Sequence, residues 1–238
     1  MRNYEKQILD GEGKDDYARY MRTDALLALQ RTPEEVVHRD ELLFQIVHQS
    51  TELWLKLAVS DLTEATARVP DGDLLPAAEL LQRSALAIHV ITEHLEMLRH
   101  LSPWDFQTIR TILGHGSGAD SPGWRSLHKA GHGMARAFAV FAESRGLDVA
   151  ELYRARRATP ELQLVEAMIE WDERVSIWRV RHYKVLTRVL GNQSIGTQGT
   201  QVDTLAKLIE YKFFPQLWEV RTELTATGPM GDYHLADS

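Results

Sequence analysis

Cysteine is absent from this chain, and with it go disulfides, iron–sulfur clusters, zinc–thiolate sites and thiolate-ligated haem. That absence fits a reducing cytoplasm. Positive charge is scarce too: 27 Lys and Arg against 34 Asp and Glu leave a net charge of −7. The surface lacks the basic excess that phosphate backbones select, so no nucleic-acid partner is expected. The N-terminus is charged and has no signal-peptide apolar core, and no run approaches the roughly 18 uninterrupted apolar residues of a membrane span. A soluble, cytoplasmic protein without membrane contact is the expectation. What is present is ordinary globular composition, 238 residues of which 44% are hydrophobic, enough for one domain with a substantial core.

The apolar pattern is helical. Residues 1–15 carry charge and glycine without periodicity and are expected to form a mobile or intersubunit arm. Patterning starts near Asp16, and a first long helix is expected from about Arg39 to Ala67, ended by the turn chemistry of Val69-Pro70-Asp71-Gly72. A second runs from about Leu75 to Leu101, after which Ser102 and Pro103 supply an N-cap and a first-turn proline. Residues 124–158 read as weakly helical, interrupted by Gly131 and Gly133. Thr159-Pro160 opens another long helix, closed by Gly191, and a last helix from about Val202 is expected to break or kink at Pro215. Two polar, glycine-rich loops, Gly114–Gly123 and Gly196–Thr200, have no core pattern. No segment reads as a strand and none repeats, so the expected architecture is an all-α bundle in one domain, 1–238.

One residue breaks the pattern of the long helix. Leu164, Met168, Trp171, Val175, Trp178, His182, Val185 and Val189 recur at spacings of three and four, the mark of a buried face. A buried imidazole needs a hydrogen-bonding partner or a metal. His48 follows Phe44 by one turn and projects from the same face of its helix. Each histidine alone reads as a core residue bonded to a backbone carbonyl; the two together resemble the sides of a cofactor slot. His128 and His132 have the spacing of two ligands on one turn, with His115 in the preceding loop. They lack an adjoining carboxylate, and a solvated helix face explains them equally. His89 and His94 share no face, and His38, His100 and His234 have only a surface reading. Arg110, at the end of a short amphipathic segment beside the first loop, is placed either for a surface salt bridge or to bind a carboxylate bidentately. Ser117 and Thr200 offer hydroxyls from the two loops. Neither loop has P-loop or dinucleotide-fingerprint spacing, which disfavours nucleotide binding.

Five segments carry a resemblance. His38 to Leu57, HRDELLFQIVHQSTELWLKL, resembles the DE-LF-I-HQ-ELW-K signature of tryptophan 2,3-dioxygenases; WRVRH at Trp178–His182 is similar to the W-R-x-R-H motif that supplies their proximal haem ligand. The stretch Tyr17 to Leu27, the loop GTQGT at Gly196–Thr200 and FPQLWEVR at Phe214–Arg221 resemble further motifs of the family, in the same order. The resemblance spans nearly the whole chain and places it in the haem-dependent aromatic oxygenase superfamily. It implies a helical bundle with haem b (iron protoporphyrin IX) between helices and His182 as the axial ligand of its iron. His48 is then the distal residue that accepts the indole N–H. It further implies that Phe44 packs on the indole, Arg110 grips the substrate carboxylate, Thr200 binds the amino-acid backbone, and Ser117 lies near the ammonium or a haem propionate. Tyr17, Tyr20 and Met21 match a segment that reaches a neighbouring subunit's active site, which implies a homo-oligomer, a dimer or tetramer.

The implied chemistry is insertion of oxygen from O₂ into the indole ring of L-tryptophan or a substituted tryptophan, with 2,3-dioxygenation to an N-formylkynurenine as the first expectation. Two departures leave alternatives open. Phe106 stands where the family has a tyrosine that adds a second bond to the carboxylate. The Gly114–Trp124 loop replaces the family's T-S-S-G-F-Q-S segment, and the helical region that follows is much shorter. Superfamily members from antibiotic pathways look like this in outline and insert a single oxygen atom. The alternatives are therefore monooxygenation of a β-methyltryptophan-type indole to an oxindole or hydroxyindoline, haem-dependent tyrosine hydroxylation, and a non-catalytic haem-binding sensor.

Overall fold

A computed structural model describes residues 7–199 and 201–229. Their order is α1 (Asp16–Met21), α2 (Thr23–Leu27), α3 (Glu41–Arg68), α4 (Leu74–Leu98), α5 (Pro103–Arg110), α6 (Pro122–Arg145), α7 (Val149–Arg154), α8 (Pro160–Leu190) and α9 (Pro215–Thr227). Single 3₁₀ segments, Gly118–Asp120 and Val202–Leu208, precede α6 and α9. Among the described residues there is no strand; one isolated antiparallel bridge pairs Ile195 with Gln201. The fold is all-α.

Four long helices make the body, with α4 packed between α3 and α8, and α6 against α3. Spacings of three and four put Leu55, Ala58, Leu62 and Ala65 of α3, Leu81, Ala85, Ile88 and Ile91 of α4, and Leu164, Met168, Trp171 and Val175 of α8 into one core. Caps follow the sequence. The Ser102, Ser121 and Thr159 side chains accept the N–H groups of Asp105, Trp124 and Leu162, each ahead of a first-turn proline. Gly146, at φ 58°, ends α6 in the left-handed conformation that a side chain would disfavour.

The structure corrects two sequence-based expectations. First, α6 runs unbroken through Gly131 and Gly133. A Cβ at Gly131 would lie 2.7 Å from the Phe213 ring and 3.0 Å from Trp171, so this glycine admits another element's aromatic ring. Close packing there outweighs the roughly 1 kcal/mol that glycine costs a helix. Second, Pro215 does not kink a helix but starts α9 at its first turn, where its missing N–H is no loss. By length and composition α4 is apolar enough to cross a membrane, and half of its most apolar stretch is buried inside the bundle. At the N-terminus, Ile8 and Leu9 donate their N–H groups to Asp16, and Arg19 donates to the Gly13 carbonyl at 3.2 Å, folding this segment back on α1.

Candidate active site

A second, smaller core lies beside the first: Val47, Leu95, Leu98, Leu101, Phe106, Ile109, Val185 and Val189, with Leu43, Phe44 and Trp178 packed on it. The candidate site is built on this cluster. Phe44 and His48 rise from one turn of α3 with ring centroids 4.1 Å apart, and Phe106 of α5 adds a third ring 5.7 Å from Phe44. From α8, Trp178 stacks on His182 at 4.7 Å and 11°, and Trp124 of α6 packs on Trp178 at 3.9 Å.

His48 Nδ1 lies 2.7 Å from the Phe44 carbonyl oxygen. A carbonyl can only accept, so Nδ1 carries the proton and the neutral ring presents its Nε2 lone pair. His48 is exposed as a whole residue, while its ring packs on Phe44. Burial pushes its pKa below the ordinary histidine value, opposed by the Phe44 bond and by Glu52. His182 is pushed further, to about 4, by burial and then by the nearby His48. Both imidazoles are neutral near pH 7, and among the described residues His182 makes no side-chain hydrogen bond. The Trp178 Nε1 donor is also buried without a partner. Two neutral imidazoles, apolar and aromatic walls and an unsatisfied buried donor form a donor set that fits a flat cofactor held through one imidazole. It does not fit a closed tetrahedral metal cage.

The two glycine-rich loops meet at one end of this cluster. Arg110 donates to the Ile195 carbonyl at 3.0 Å and to Gln107 at 3.3 Å, and among the described residues it has no carboxylate partner. Thr197 donates to the Gly116 carbonyl at 2.6 Å, and Gln198 donates to Asp120 at 2.6 Å and to the His115 carbonyl at 3.2 Å. The Ser117 hydroxyl is used within its own loop, accepting from the Ala119 N–H. Tyr17, Tyr20 and Met21 are exposed at 67%, 74% and 51%, outside the cluster. Thr200 lies outside the described residues.

Sequence reasoning missed Glu52, one turn beyond His48. Its carboxylate accepts from Ser121 Oγ and from the Gly123 N–H at 2.9 Å, tying α3 to the start of α6. It also missed Asp172, which is buried and accepts the Phe213 N–H at 3.0 Å, the Phe214 N–H at 3.2 Å and Trp218 Nε1 at 3.0 Å. An acidic residue beside the apolar stripe was the available signal. His38 proves half-buried: its Nδ1 accepts the Asp40 N–H at 3.2 Å. Its Nε2 lies 3.6 Å from Asp105, so His38, Asp40 and Asp105 form one imidazole–carboxylate cluster. His128 and His132 pack on each other at 4.7 Å, and His132 Nε2 lies 3.0 Å from the Tyr211 hydroxyl.

A family model described as tryptophan 2,3-dioxygenase matches residues 3–136, more than half of the chain. The chain belongs to the tryptophan 2,3-dioxygenase family. Relatives bearing that name include one from Saccharopolyspora erythraea, 30% identical over 260 residues, with 87% of this chain and 92% of the relative covered. Others come from Myxococcus xanthus, 29% identical with 93% and 94% covered, and Kineococcus radiotolerans, 30% identical with 91% and 94% covered. The family model takes in Phe44, His48, Phe106 and Arg110 and stops short of His182. The Saccharopolyspora alignment, 260 positions against a chain of 238, means that segments of that dioxygenase have no counterpart here.

Proposed function

We propose that this chain is a single-domain, haem b-dependent oxygenase that inserts both atoms of O₂ across the indole 2,3 bond of L-tryptophan or a close derivative, giving an N-formylkynurenine. The observation that carries the reading is the pair of neutral histidines, His48 and His182, on different helices of one aromatic-walled cluster in a chain of this family. His182 would hold the iron, since a neutral imidazole offers its lone pair and the chain has no thiolate to compete. Haem bound there supplies O₂ activation and the electron chemistry of oxygen transfer.

The chain's own residues supply orientation. His48 Nε2 accepts the indole N–H, because its Nδ1 proton is already committed to the Phe44 carbonyl. Phe44 and Phe106 pack on the ring and exclude water. Arg110 takes the substrate carboxylate, exchanging a neutral carbonyl contact for a charge-assisted one. Thr200 is assigned to the amino-acid backbone of the substrate, and Ser117 to its ammonium or a haem propionate. Phe106 has no hydroxyl, so the carboxylate depends on Arg110 more than it would with a tyrosine there.

The exposed Tyr17, Tyr20 and Met21, together with Leu42, Ile46, Leu53 and Leu57 at 37–54% exposure along one side of α3, support a homo-oligomer. Mass spectrometry of the product from ferrous protein, L-tryptophan and ¹⁸O₂ tests the reaction. Two labelled atoms are expected. A single labelled atom would assign monooxygenation, the reading that Phe106 and the altered loop favour, and no product with any indole or phenol amino acid would leave a sensor.

A further inference from the structure

We propose that a cleft on α8, beside the turn that carries His182, binds a small multivalent anion, a phosphate- or polycarboxylate-bearing metabolite. The cleft, about 260 Å³ in volume, is lined by Arg99, Arg181, Lys184, Val185 and Arg188. Positions 181, 184, 185 and 188 share one face of α8, and Arg99 at the end of α4 forms the facing wall. Four cations thus converge in a chain whose net charge is −7.

The protein neutralises them only in part. Glu96 accepts from Arg99 at 2.8 Å and pairs with Arg181 as well. One carboxylate therefore serves two guanidinium groups, and among the described residues Lys184 and Arg188 have no ion pair. Arg181 Nε is buried without a hydrogen-bond partner, a donor that folding alone leaves unsatisfied. Guanidinium forks match phosphate and carboxylate oxygens in pairs, and Lys184 adds a point charge. The volume is just below that of sites for drug-sized ligands, and the chain's net charge of −7 opposes long polyanions, so the occupant is small. None of these five side chains has a part in the reaction proposed above, and the two ideas fail separately.

Isothermal titration of the haem-loaded protein with inorganic pyrophosphate is the test. One site per chain is expected, weakened on the order of tenfold or more by Arg188→Glu and by Lys184→Gln, both exposed positions whose replacement leaves the fold intact. Arg136→Glu, the same charge change on the outer face of α6, should leave the affinity unchanged. Absence of binding, or equal weakening by Arg136→Glu, would overturn the proposal. Binding by haem-free protein alone would also overturn it, by assigning the cleft to the haem's own carboxylates.

Discussion

Trp171 and Trp178 stand two turns apart on the same stripe of α8, in opposite circumstances. Trp171 is fully buried, and its Nε1 donates to Ser84 Oγ at 3.0 Å, which in turn donates to the Ala58 carbonyl at 3.0 Å. Trp178 is half-buried, stacks on His182 and Trp124, and has an Nε1 with no partner. Near Trp171 the bundle satisfies its polar groups, with Asp172 taking two backbone N–H groups and the Trp218 indole, and Arg83 gripping the buried Asp61. Near Trp178 the same helices leave polar groups open. Folding explains the first region completely. The second leaves Trp178 Nε1 and Arg181 Nε buried without partners.

That contrast can be broken by substitution. Trp171→Phe leaves a cavity and removes the donor to Ser84 Oγ, and is expected to destabilise by about 3 kcal/mol in urea unfolding. Trp178→Phe removes a donor that has no partner, so the loss should stay near 1 kcal/mol, the cost of a smaller ring at a half-buried site. Equal losses would erase the distinction. In the open region, Arg110→Ala should lower kcat/KM for L-tryptophan by about 2 kcal/mol, roughly thirtyfold, and leave indole, which lacks the carboxylate, unaffected. Equal losses for both would remove Arg110 from the carboxylate. Two glycines of α6, on either side of His132, give a smaller, signed test in the closed region. Gly131→Ala drives a methyl into the buried Phe213 ring and should cost about 1 kcal/mol net, while Gly133→Ala, whose nearest neighbour is 4.0 Å away, should stabilise by up to about 1 kcal/mol. The smallest expected effect is that of Phe106→Tyr, a tightening of KM for L-tryptophan by about 0.5–1 kcal/mol through a second bond to the carboxylate. An unchanged KM would place that hydroxyl out of reach.

Much of this was legible in residue order because helices write their burial as spacing. The stripe from Leu164 to Val189 is on the face expected, and it opens where His182 interrupts it. Caps at Ser102 and Thr159 were readable for the same local reason. Gly131 was misread because the ring that fills its missing side chain comes from residue 213, far along the chain. Pro215 was misread because proline ends one helix and begins another with equal ease. The two glycine-rich loops were visible as loops, but their mutual bonds, Gln198 to Asp120 and Thr197 to Gly116, join residues about eighty positions apart and leave no periodic trace. The proton position on His48 depends on one carbonyl distance, which sequence does not carry.

The role of His182 is tested most directly by the haem content of purified protein, measured by pyridine haemochrome for the natural chain and for His182→Ala. One haem per chain, lost in His182→Ala while the helical circular dichroism signal is kept, is the expected result. Full haem retention by His182→Ala, or a natural chain that stays colourless after haem supplementation, would contradict it.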